Sequence, residues 1–312
     1  MKNLAIASYR EGNGGNSKLG FVVDDQLYDC AAARAAGVSF PAELQTGGWP
    51  ALLSAWSQHA APLRQAMTAV QERAQAKTLK PLDPASYRIV APFRPERIFC
   101  AASNYIEHAN EMGSVLAAKA ESKPYIFLKL RNTIIGPDEQ IRKPPETTQL
   151  DWEIELAAVI GKSGRRIALN NALDYVAGYT VLNDISARDL NVRDDYPFKF
   201  DWFQGKCHDT FAPFGPWIVP AWLIPDPQAV DMHLTVNGKD MQKDSTKNMI
   251  WSLKEQIAYL STIVTLEPGD VIATGTPTGV GMGKGIYLKL GDVVTASIDR
   301  IGSLTNTVVA DQ

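Results

Sequence analysis

The carboxyl-terminal two-thirds of the sequence is a succession of short β-rich segments separated by turns. The series runs from RIFCAA at 97–102 to DVVTASID at 292–299, and each segment is bounded by Gly, Pro or Asp. Segments of this kind, rich in β-branched and aromatic residues, predict strands. Helical signals are fewer, at 105–121, 170–176 and 250–262. We therefore predict an α+β fold that is mostly β, with strands that close into a barrel or roll because open sheet edges promote aggregation.

The first ninety residues follow a different pattern. LAIASYR and KLGFVVDDQLYDC predict two short strands, the second interrupted by a turn at Asp24 and Asp25. A helical region at 51–78 follows, and Pro62 is predicted to break it. A proline-punctuated stretch then leads into the β-rich part. We predict a small α+β module at 1–90 and a larger domain at 91–312.

Charge and cysteine content exclude several classes of protein. The chain has 31 Lys and Arg against 34 Asp and Glu, a net charge of −3, and it has no basic patch of the kind that binds nucleic acid. It has no apolar run of about 18 residues that would predict a membrane span. Its cysteines, Cys30, Cys100 and Cys207, are odd in number and widely spaced. They fit neither a disulfide framework nor a zinc site, and this favours a reducing, cytoplasmic location.

The segment DWEIELAAVI carries two acids in a strand that is otherwise apolar. Glu153 and Glu155 are two residues apart, so they share a face of the strand. One interpretation is a strand end with two exposed acids. The other is a cation site, because buried like charges repel unless a cation neutralises them. Asp184 ends another apolar strand, where it is either a third ligand or a cap for the next turn. Three oxygen ligands suit one hard divalent ion, Mg²⁺ or alternatively Mn²⁺ or Ca²⁺.

Three further polar residues are candidates for catalysis. His108 and Glu111 are one helical turn apart if 105–121 is a helix, so their side chains can meet, although a surface pair has the same spacing. Lys206 lies between the aromatic residues Phe203 and Phe211, which favours a partly buried lysine over a solvated one. The segment EMGSVLAAKAES, which follows His108, is predicted to form a lid that folds over bound substrate.

The ordered motifs resemble those of the fumarylacetoacetate hydrolase superfamily. They are NYIEHANE, YIFLKL, GPDEQI, DWEIELAAVIGK, GYTVLNDISARD, FQGKCHDTFAPFGPW and GDVIATGTPTGVG, and they span about residues 95–300 in order. The acylpyruvase-like and fumarylpyruvate hydrolase-like members are the most similar. The resemblance implies a mixed β-sheet roll, a homodimer, one divalent metal ion per subunit and a variable N-terminal module.

The resemblance also implies a role for each site residue. The implied metal ligands are Glu153, Glu155 and Asp184. The implied catalytic residues are His108, Glu111 and Lys206. The residues implied to contact the substrate are Tyr105, Lys129, Arg188 and Thr276.

The implied activity is hydrolysis of a C–C bond in a β-diketo acid such as an acylpyruvate, fumarylpyruvate or fumarylacetoacetate, in the setting of aromatic compound catabolism. The reaction would pass through a metal-bound enolate, with the ion as Lewis acid. An alternative on the same fold is a decarboxylase, isomerase or hydratase of a 2-oxo acid such as oxaloacetate. A further alternative is a keto-acid binding protein without catalytic activity. His108 and Glu111 argue against a binding protein, because binding alone needs no general base.

Overall fold

The computed structural model describes residues 4–12, 15–111, 113 and 116–311. The strands in these parts of the chain are β1 (Leu4–Glu11), β2 (Lys18–Val23), β3 (Gln26–Asp29), β4 (Tyr87–Val90), β5 (Ile98–Ala102), β6 (Tyr125–Lys129), β7 (Ile134–Ile135), β8 (Gln140–Lys143), β9 (Leu150–Asp151), β10 (Ile154–Ile160), β11 (Val176–Asn183), β12 (Ser186–Ala187), β13 (Ala212–Pro220), β14 (Asp231–Val236), β15 (Lys239–Ser245), β16 (Val271–Ala273), β17 (Val293–Ile298) and β18 (Gly302–Ala310). The α-helices are α1 (Cys30–Ala35), α2 (Glu43–Thr46), α3 (Gly48–Ser54), α4 (Trp56–Gln75), α5 (Ile106–Glu111), α6 (Trp202–Lys206), α7 (Leu253–Ile263) and α8 (Gly281–Lys284).

Two sheets form the body of the molecule. The large sheet has the strand order β3-β2-β1-β13-β11-β10-β16-β5-β6, with β4 and β7 attached beside it, and the second sheet has the order β15-β14-β17-β18-β8. The large sheet is mixed, because β16 pairs with β5 in parallel while most other neighbours are antiparallel. The predicted α+β class is thus confirmed. The expected closure is not found, since neither sheet closes into a barrel within the described residues.

Strand β10 lies near the middle of the large sheet and is buried on both faces. Ile154, Leu156 and Ala158 belong to the core that includes the second sheet. Ala157 and Val159 belong to a separate core, formed with helices α1 to α4. This alternation confirms that the two faces of the strand contact different layers. Since Glu155 shares a face with Ala157, it lies on the side that the N-terminal helices cover.

The N-terminal strands join the same sheet as the acid-bearing strands. Ile6 of β1 is paired with Ile218 of β13. The predicted turn between β2 and β3 is present, and both Asp24 and Asp25 have positive φ, 50° and 66°, as a two-residue hairpin turn requires. The sheet therefore runs across the boundary between 1–90 and 91–312. The division into two domains stays a prediction.

The expected break at Pro62 is wrong. Pro62 lies inside α4, which continues to Gln75. A proline costs the helix one hydrogen bond, but Leu63, Met67 and Val70 are buried against the sheet from the same helix. Tertiary packing of this kind contributes most of the stability of a helix in a protein, and it offsets the local loss.

The other helical predictions differ in outcome. The region 250–262 is α7, which begins with a capping box formed by Ser252 and Glu255. The region 170–176 is the 3₁₀-helix Leu169–Tyr175. The single helix predicted at 105–121 is wrong, because the described residues hold α5 up to Glu111, a turn at Gly113 and a separate 3₁₀-helix at Lys119–Glu121. That glycine has φ +68°, a left-handed conformation that terminates helices.

Part of the predicted lid, residues 112, 114 and 115, lies outside the described residues. None of the helices that the structure describes has the length and apolar composition needed to cross a membrane.

Candidate active site

Three acids meet where two neighbouring strands of the large sheet end. Glu153 immediately precedes β10, Glu155 lies in it, and Asp184 immediately follows the antiparallel β11. The amide of Asp184 donates a hydrogen bond to the carbonyl oxygen of Glu153 at 2.8 Å, so the two strand ends are tied together. One carboxylate oxygen from each of the three residues lies within 4.8 Å of the other two, and all three residues are buried.

Two buried lysines neutralise part of this charge. The Nζ of Lys206 lies 2.7 Å from Glu153 Oε2 and 2.7 Å from Asp184 Oδ2. The Nζ of Lys129 lies 2.6 Å from Asp184 Oδ1. Lys206 is the last residue of α6 and Lys129 the last of β6, so two different elements bring these ammonium groups to the acids. Buried charges are tolerated when they are paired in this way.

An arginine and a fourth acid extend the network. Arg188 donates from Nε to Asp151 Oδ2 at 2.8 Å and from Nη2 to Glu153 Oε1. Burial alone would raise the pKa of the Glu153 carboxyl, but the cations Arg188 and Lys206 outweigh burial and lower that pKa. Glu153 is thereby held as a carboxylate.

Glu155 is in a different electrostatic position. Its Oε2 accepts a hydrogen bond from the amide of Gly275 at 2.8 Å. Within the described part of the chain, no lysine, arginine or histidine forms an ion pair with it. Burial, together with the nearby charges of Asp184 and Glu153, raises the pKa of Glu155 well above its usual range.

The donor set fits a hard divalent cation. The carboxylates of the network outnumber its cations by one: Asp151, Glu153, Glu155 and Asp184 against Lys129, Arg188 and Lys206. A divalent ion beside Glu155 would allow all the acids to be ionised, and oxygen donors are the ligands that Mg²⁺ and Mn²⁺ prefer. The acidic triad is thus able to hold a divalent metal.

Gly275 is required where the loop after β16 passes Glu155. Its φ of +98° is unfavourable for residues with a side chain. A Cβ at this position would lie 2.6 Å from the Cβ of Asn104. The close approach lets the amide of Gly275 reach the carboxylate of Glu155.

His108, the predicted catalytic base, and its neighbour Glu111 lie beside the acids. His108 Nδ1 is 3.8 Å from Glu111 Oε2, and this buried nitrogen has no hydrogen-bond partner among the described residues. Glu111 Oε2 also accepts a hydrogen bond from the amide of Gly279 at 2.9 Å. Burial alone would raise the pKa of Glu111, but His108 and the Gly279 amide outweigh burial and lower it. Glu111 is therefore an anion that can orient the imidazole.

The four residues predicted to contact substrate have varied surroundings. Lys129 and Arg188 are paired with acids, as described above. The hydroxyl of Thr276 donates to the carbonyl oxygen of Ile154 at 2.8 Å and accepts from Gln242. The hydroxyl of Tyr105 is buried and has no hydrogen-bond partner in the described structure. The structure brings all the predicted site residues into one region, and their roles stay predictions.

Asp151 is a member of the network that the sequence analysis did not single out. It is fully buried and, besides Arg188, it accepts hydrogen bonds from the amides of Gly281 at 2.6 Å and Met282 at 3.0 Å. It links the acids to the glycine-rich loop that contacts Glu111. The sequence did contain a signal for Asp151, because this residue has the same two-residue spacing from Glu153 that Glu153 has from Glu155.

Comparison with known proteins identifies the relatives of this chain. Residues 97–309 match the family model described as fumarylacetoacetate (FAA) hydrolase C-terminal. The chain is 39% identical over 243 residues to the mitochondrial oxaloacetate tautomerase Fahd2a of Rattus norvegicus, covering 77% of this chain and 75% of that protein.

Two solved structures extend the comparison. A fumarylacetoacetate hydrolase from psychrophilic Exiguobacterium antarcticum has a TM-score of 0.76 at 33% identity, over 98% of this chain and 100% of that one. Fumarylpyruvate hydrolase from Pseudomonas aeruginosa, solved with Mn²⁺ and pyruvate, has a TM-score of 0.63 at 34% identity, over 72% of this chain and 92% of that one. On sequence and structure together, the chain belongs to the fumarylacetoacetate hydrolase family.

Proposed function

We propose that this protein is a divalent-metal-dependent enzyme that enolises small 2-oxo acids, with keto–enol tautomerisation of oxaloacetate as its reaction. The observation that carries this proposal is the buried triad of Glu153, Glu155 and Asp184 beside the unpartnered imidazole nitrogen of His108. The similarity to an oxaloacetate tautomerase over three-quarters of the chain supports the isomerase alternative over the hydrolase expected from the motifs.

Tautomerisation needs a group that moves a proton between carbon and oxygen. The C3–H bond of the 2-oxo acid breaks, its proton passes to the imidazole of His108, and the electron pair moves onto the 2-oxo oxygen. The same proton then returns to that oxygen to give the enol. Glu111 would orient the imidazole and stabilise its charged form, as a carboxylate beside a catalytic histidine does. His108 is a suitable residue because a histidine exchanges protons near neutral pH.

Negative charge that develops on the 2-oxo oxygen has to be stabilised. A divalent ion held by the three acids would supply Lewis-acid stabilisation there. The chain adds the buried ammonium groups of Lys206 and Lys129, which are fixed before substrate arrives. Preorganised charges of this kind are effective because they need no rearrangement during the reaction.

C–C bond hydrolysis of an acylpyruvate is the second candidate. The similarity to fumarylpyruvate hydrolase favours it. In that reaction His108 would remove a proton from the attacking water instead of from carbon. Both reactions share the stabilised enolate, so the acids alone do not separate them.

The remaining expectations keep their status as predictions. They are a homodimer, Mg²⁺ as the ion, and a part in aromatic compound catabolism. The cytoplasmic location is also a prediction. The rat relative is a mitochondrial protein.

The test is a direct comparison of substrates. Oxaloacetate prepared in its enol form is mixed with protein and Mg²⁺, and loss of the enol absorbance is followed with and without EDTA. Acetylpyruvate and fumarylpyruvate are assayed for cleavage in parallel. We expect tautomerisation to exceed the buffer rate and to stop with EDTA. Cleavage of an acylpyruvate with no effect on oxaloacetate would establish the second candidate instead.

A further inference from the structure

One buried carboxylate of the site is neither a predicted metal ligand nor part of the predicted base. Asp151 is fully buried and ends strand β9, which pairs with β12 so that Asp151 lies opposite Ser186. A buried charge is costly unless hydrogen bonds and groups of opposite charge compensate it. The partners of Asp151 therefore indicate what this residue does.

Four donors surround the Asp151 carboxylate. Its Oδ1 accepts hydrogen bonds from the amides of Trp152 at 2.8 Å and Gly281 at 2.6 Å. Its Oδ2 accepts from the amide of Met282 at 3.0 Å and from Nε of Arg188 at 2.8 Å. A carboxylate has about four lone-pair positions for donors, so this one is fully occupied. Asp151 is thus suited to hold its neighbours in place and not to bind a substrate or an ion.

The glycine-rich loop, residues 279–283, approaches this carboxylate closely. A Cβ at Gly281 would lie 2.6 Å from Asp151 Oδ1 and 2.1 Å from a backbone carbonyl oxygen, so only glycine allows the approach. The indole nitrogen of Trp152 donates a hydrogen bond to the carbonyl oxygen of Gly279 at 3.2 Å. Asp151 and Trp152 therefore hold the loop at two points.

The same loop contacts Glu111. The amide of Gly279 donates to Glu111 Oε2 at 2.9 Å. A Cβ at Gly283 would lie 2.1 Å from Glu111 Cγ, so the backbone of the loop packs directly on the Glu111 side chain. The loop thus contacts both Asp151 and Glu111, and a shift of the loop would move the carboxylate that lies beside His108.

The side-chain partner of Asp151, Arg188, connects it to a predicted metal ligand. Arg188 binds Asp151 through Nε and Glu153 through Nη2. The guanidinium is planar and rigid, so acids on two of its nitrogens fix its orientation. Because Asp151 shares this arginine, the positive charge of Arg188 does not act on Glu153 alone.

We propose that Asp151 is a positioning residue that holds the loop beside Glu111 and the guanidinium beside Glu153 in one arrangement. A single carboxylate then fixes the orienting partner of the base relative to the metal ligands. This inference rests on the proposed function, which makes His108 the base. It assigns to Asp151 no contact with the substrate or the ion.

The test replaces Asp151 by a residue of the same shape. In Asp151→Asn an amide group stands in place of one oxygen, and that group cannot accept from the Met282 amide or from Arg188 Nε. Amide hydrogen exchange, resolved by NMR on the ion-free protein, should be at least about tenfold faster at Gly279, whose amide binds Glu111 and not Asp151. Oxaloacetate turnover with Mg²⁺ should fall about tenfold to a hundredfold, because small misplacements of catalytic groups are costly.

Asp270→Asn is the matched control. Asp270 is also buried and accepts hydrogen bonds from Nε of Arg97 at 2.7 Å and from the amide of Glu267 at 2.7 Å. It lies immediately before β16, at the end of that strand away from the acids. The control therefore loses bonds of the same kind as Asp151→Asn, and its melting temperature should fall, but exchange at Gly279 and turnover should not change.

A second variant disturbs the same contact from the loop. Gly281→Ala keeps the Asp151 carboxylate but places a methyl group against it, so exchange at Gly279 should again be faster and turnover lower. Because both changes break one contact, the double variant should lose no more turnover than Asp151→Asn alone. Gly281→Ala also provides the test if Asp151→Asn does not fold.

Wild-type exchange at Gly279 or wild-type turnover in Asp151→Asn would overturn the inference. So would an equal loss of turnover in Asp270→Asn, or losses that multiply in the double variant. The exchange measurement needs neither ion nor substrate. If the wild-type protein does not turn over oxaloacetate, the proposed function fails, and exchange at Gly279 still decides whether Asp151 holds the loop.

Discussion

The acidic triad and the His108–Glu111 pair are close together but are held in place in different ways. The acids lie at the ends of β10 and β11, near the middle of the large sheet, and three buried cations hold two of them. His108 and Glu111 lie on α5, a helix of six residues. Their side chains are 3.8 Å apart, and the amide of Gly279 is the backbone donor to Glu111. Side chains on regular elements are positioned more accurately than those that depend on loops. The sheet thus positions the predicted metal ligands, while the predicted base depends on a short helix and a glycine-rich loop.

The largest effect is expected from removing the acid that lacks a cationic partner. Glu155→Gln keeps the shape of the side chain but loses its charge, so the variant should not retain Mn²⁺, and oxaloacetate turnover should fall by at least about 10³-fold. Because burial of the Glu155 charge is costly, the variant should unfold at the same temperature as the wild type or a higher one. Calorimetric titration with Mn²⁺ and thermal unfolding measure both.

The exposed acid Asp231 provides the control for this variant. Asp231→Asn should change neither Mn²⁺ binding nor turnover. Wild-type Mn²⁺ affinity in Glu155→Gln would remove Glu155 from the metal site.

The second effect concerns the base. His108→Ala should lower turnover by about 10²-fold to 10⁴-fold, the usual contribution of a general base, and should leave the Kd for Mn²⁺ unchanged because no acid of the triad is altered. His233→Ala, at a partly buried histidine of β14, is the matched control. Unchanged turnover in His108→Ala would show that another group moves the proton.

A smaller effect should follow from displacing the carboxylate that orients the base. A Cβ at Gly283 would lie 2.1 Å from Glu111 Cγ, so Gly283→Ala should push Glu111 away from His108. We expect turnover to fall about tenfold, since small misplacements of catalytic groups are costly. Gly285→Ala, two residues along, meets no atom within 4 Å of its Cβ but strains the backbone, because Gly285 has φ +63°, so it shows how much activity is lost when the loop is disturbed without displacing Glu111. If both variants lose the same activity, the cause is the loop and not Glu111.

The smallest effect should come from neutralising that carboxylate in place. Glu111→Gln should reduce turnover about threefold to fivefold, as expected when a weak, partly exposed charge interaction is lost. The lowered pKa of Glu111 gives this variant a pH signature. A carboxyl with a lowered pKa stays ionised above its ordinary value and loses its charge only as pH falls below it. The ratio of wild-type to variant turnover should therefore stay above one from neutral pH down to about pH 4.5 and approach one only below that. A ratio already close to one at neutral pH would contradict this assignment.

The sequence predicted that Glu153, Glu155 and Asp184 would lie together at the ends of neighbouring strands. The alternation in DWEIELAAVI depends on strand geometry alone, and the two faces lie in two cores as expected. The spacing of Glu153 and Glu155, and the position of Asp184 at a strand end, are equally local signals. The structure brings the three carboxylates together accordingly.

Most of the parts that the sequence did not predict depend on contacts between distant residues. Lys129 is 55 residues from Asp184, and no periodicity in the sequence relates them. The helix predicted at 105–121 ends early because Gly113 favours a left-handed backbone, which local helical pattern does not capture. Pro62 fails to break α4 because the sheet beneath the helix stabilises it. Tertiary packing decided the cases of Lys129 and Pro62, whereas Gly113 is a local signal that the predicted helix did not take into account.

Strand β1 pairs with β13, and helices α1 to α4 cover one face of β10. These contacts limit how this enzyme can be divided. The family model begins at residue 97. A fragment trimmed to that boundary would leave Ala157, Val159 and their neighbours facing water. Chimeras that exchange leading segments between family members would have to carry over this apolar contact surface as well, because the part matched by the family model buries some of its apolar side chains against the segment before it.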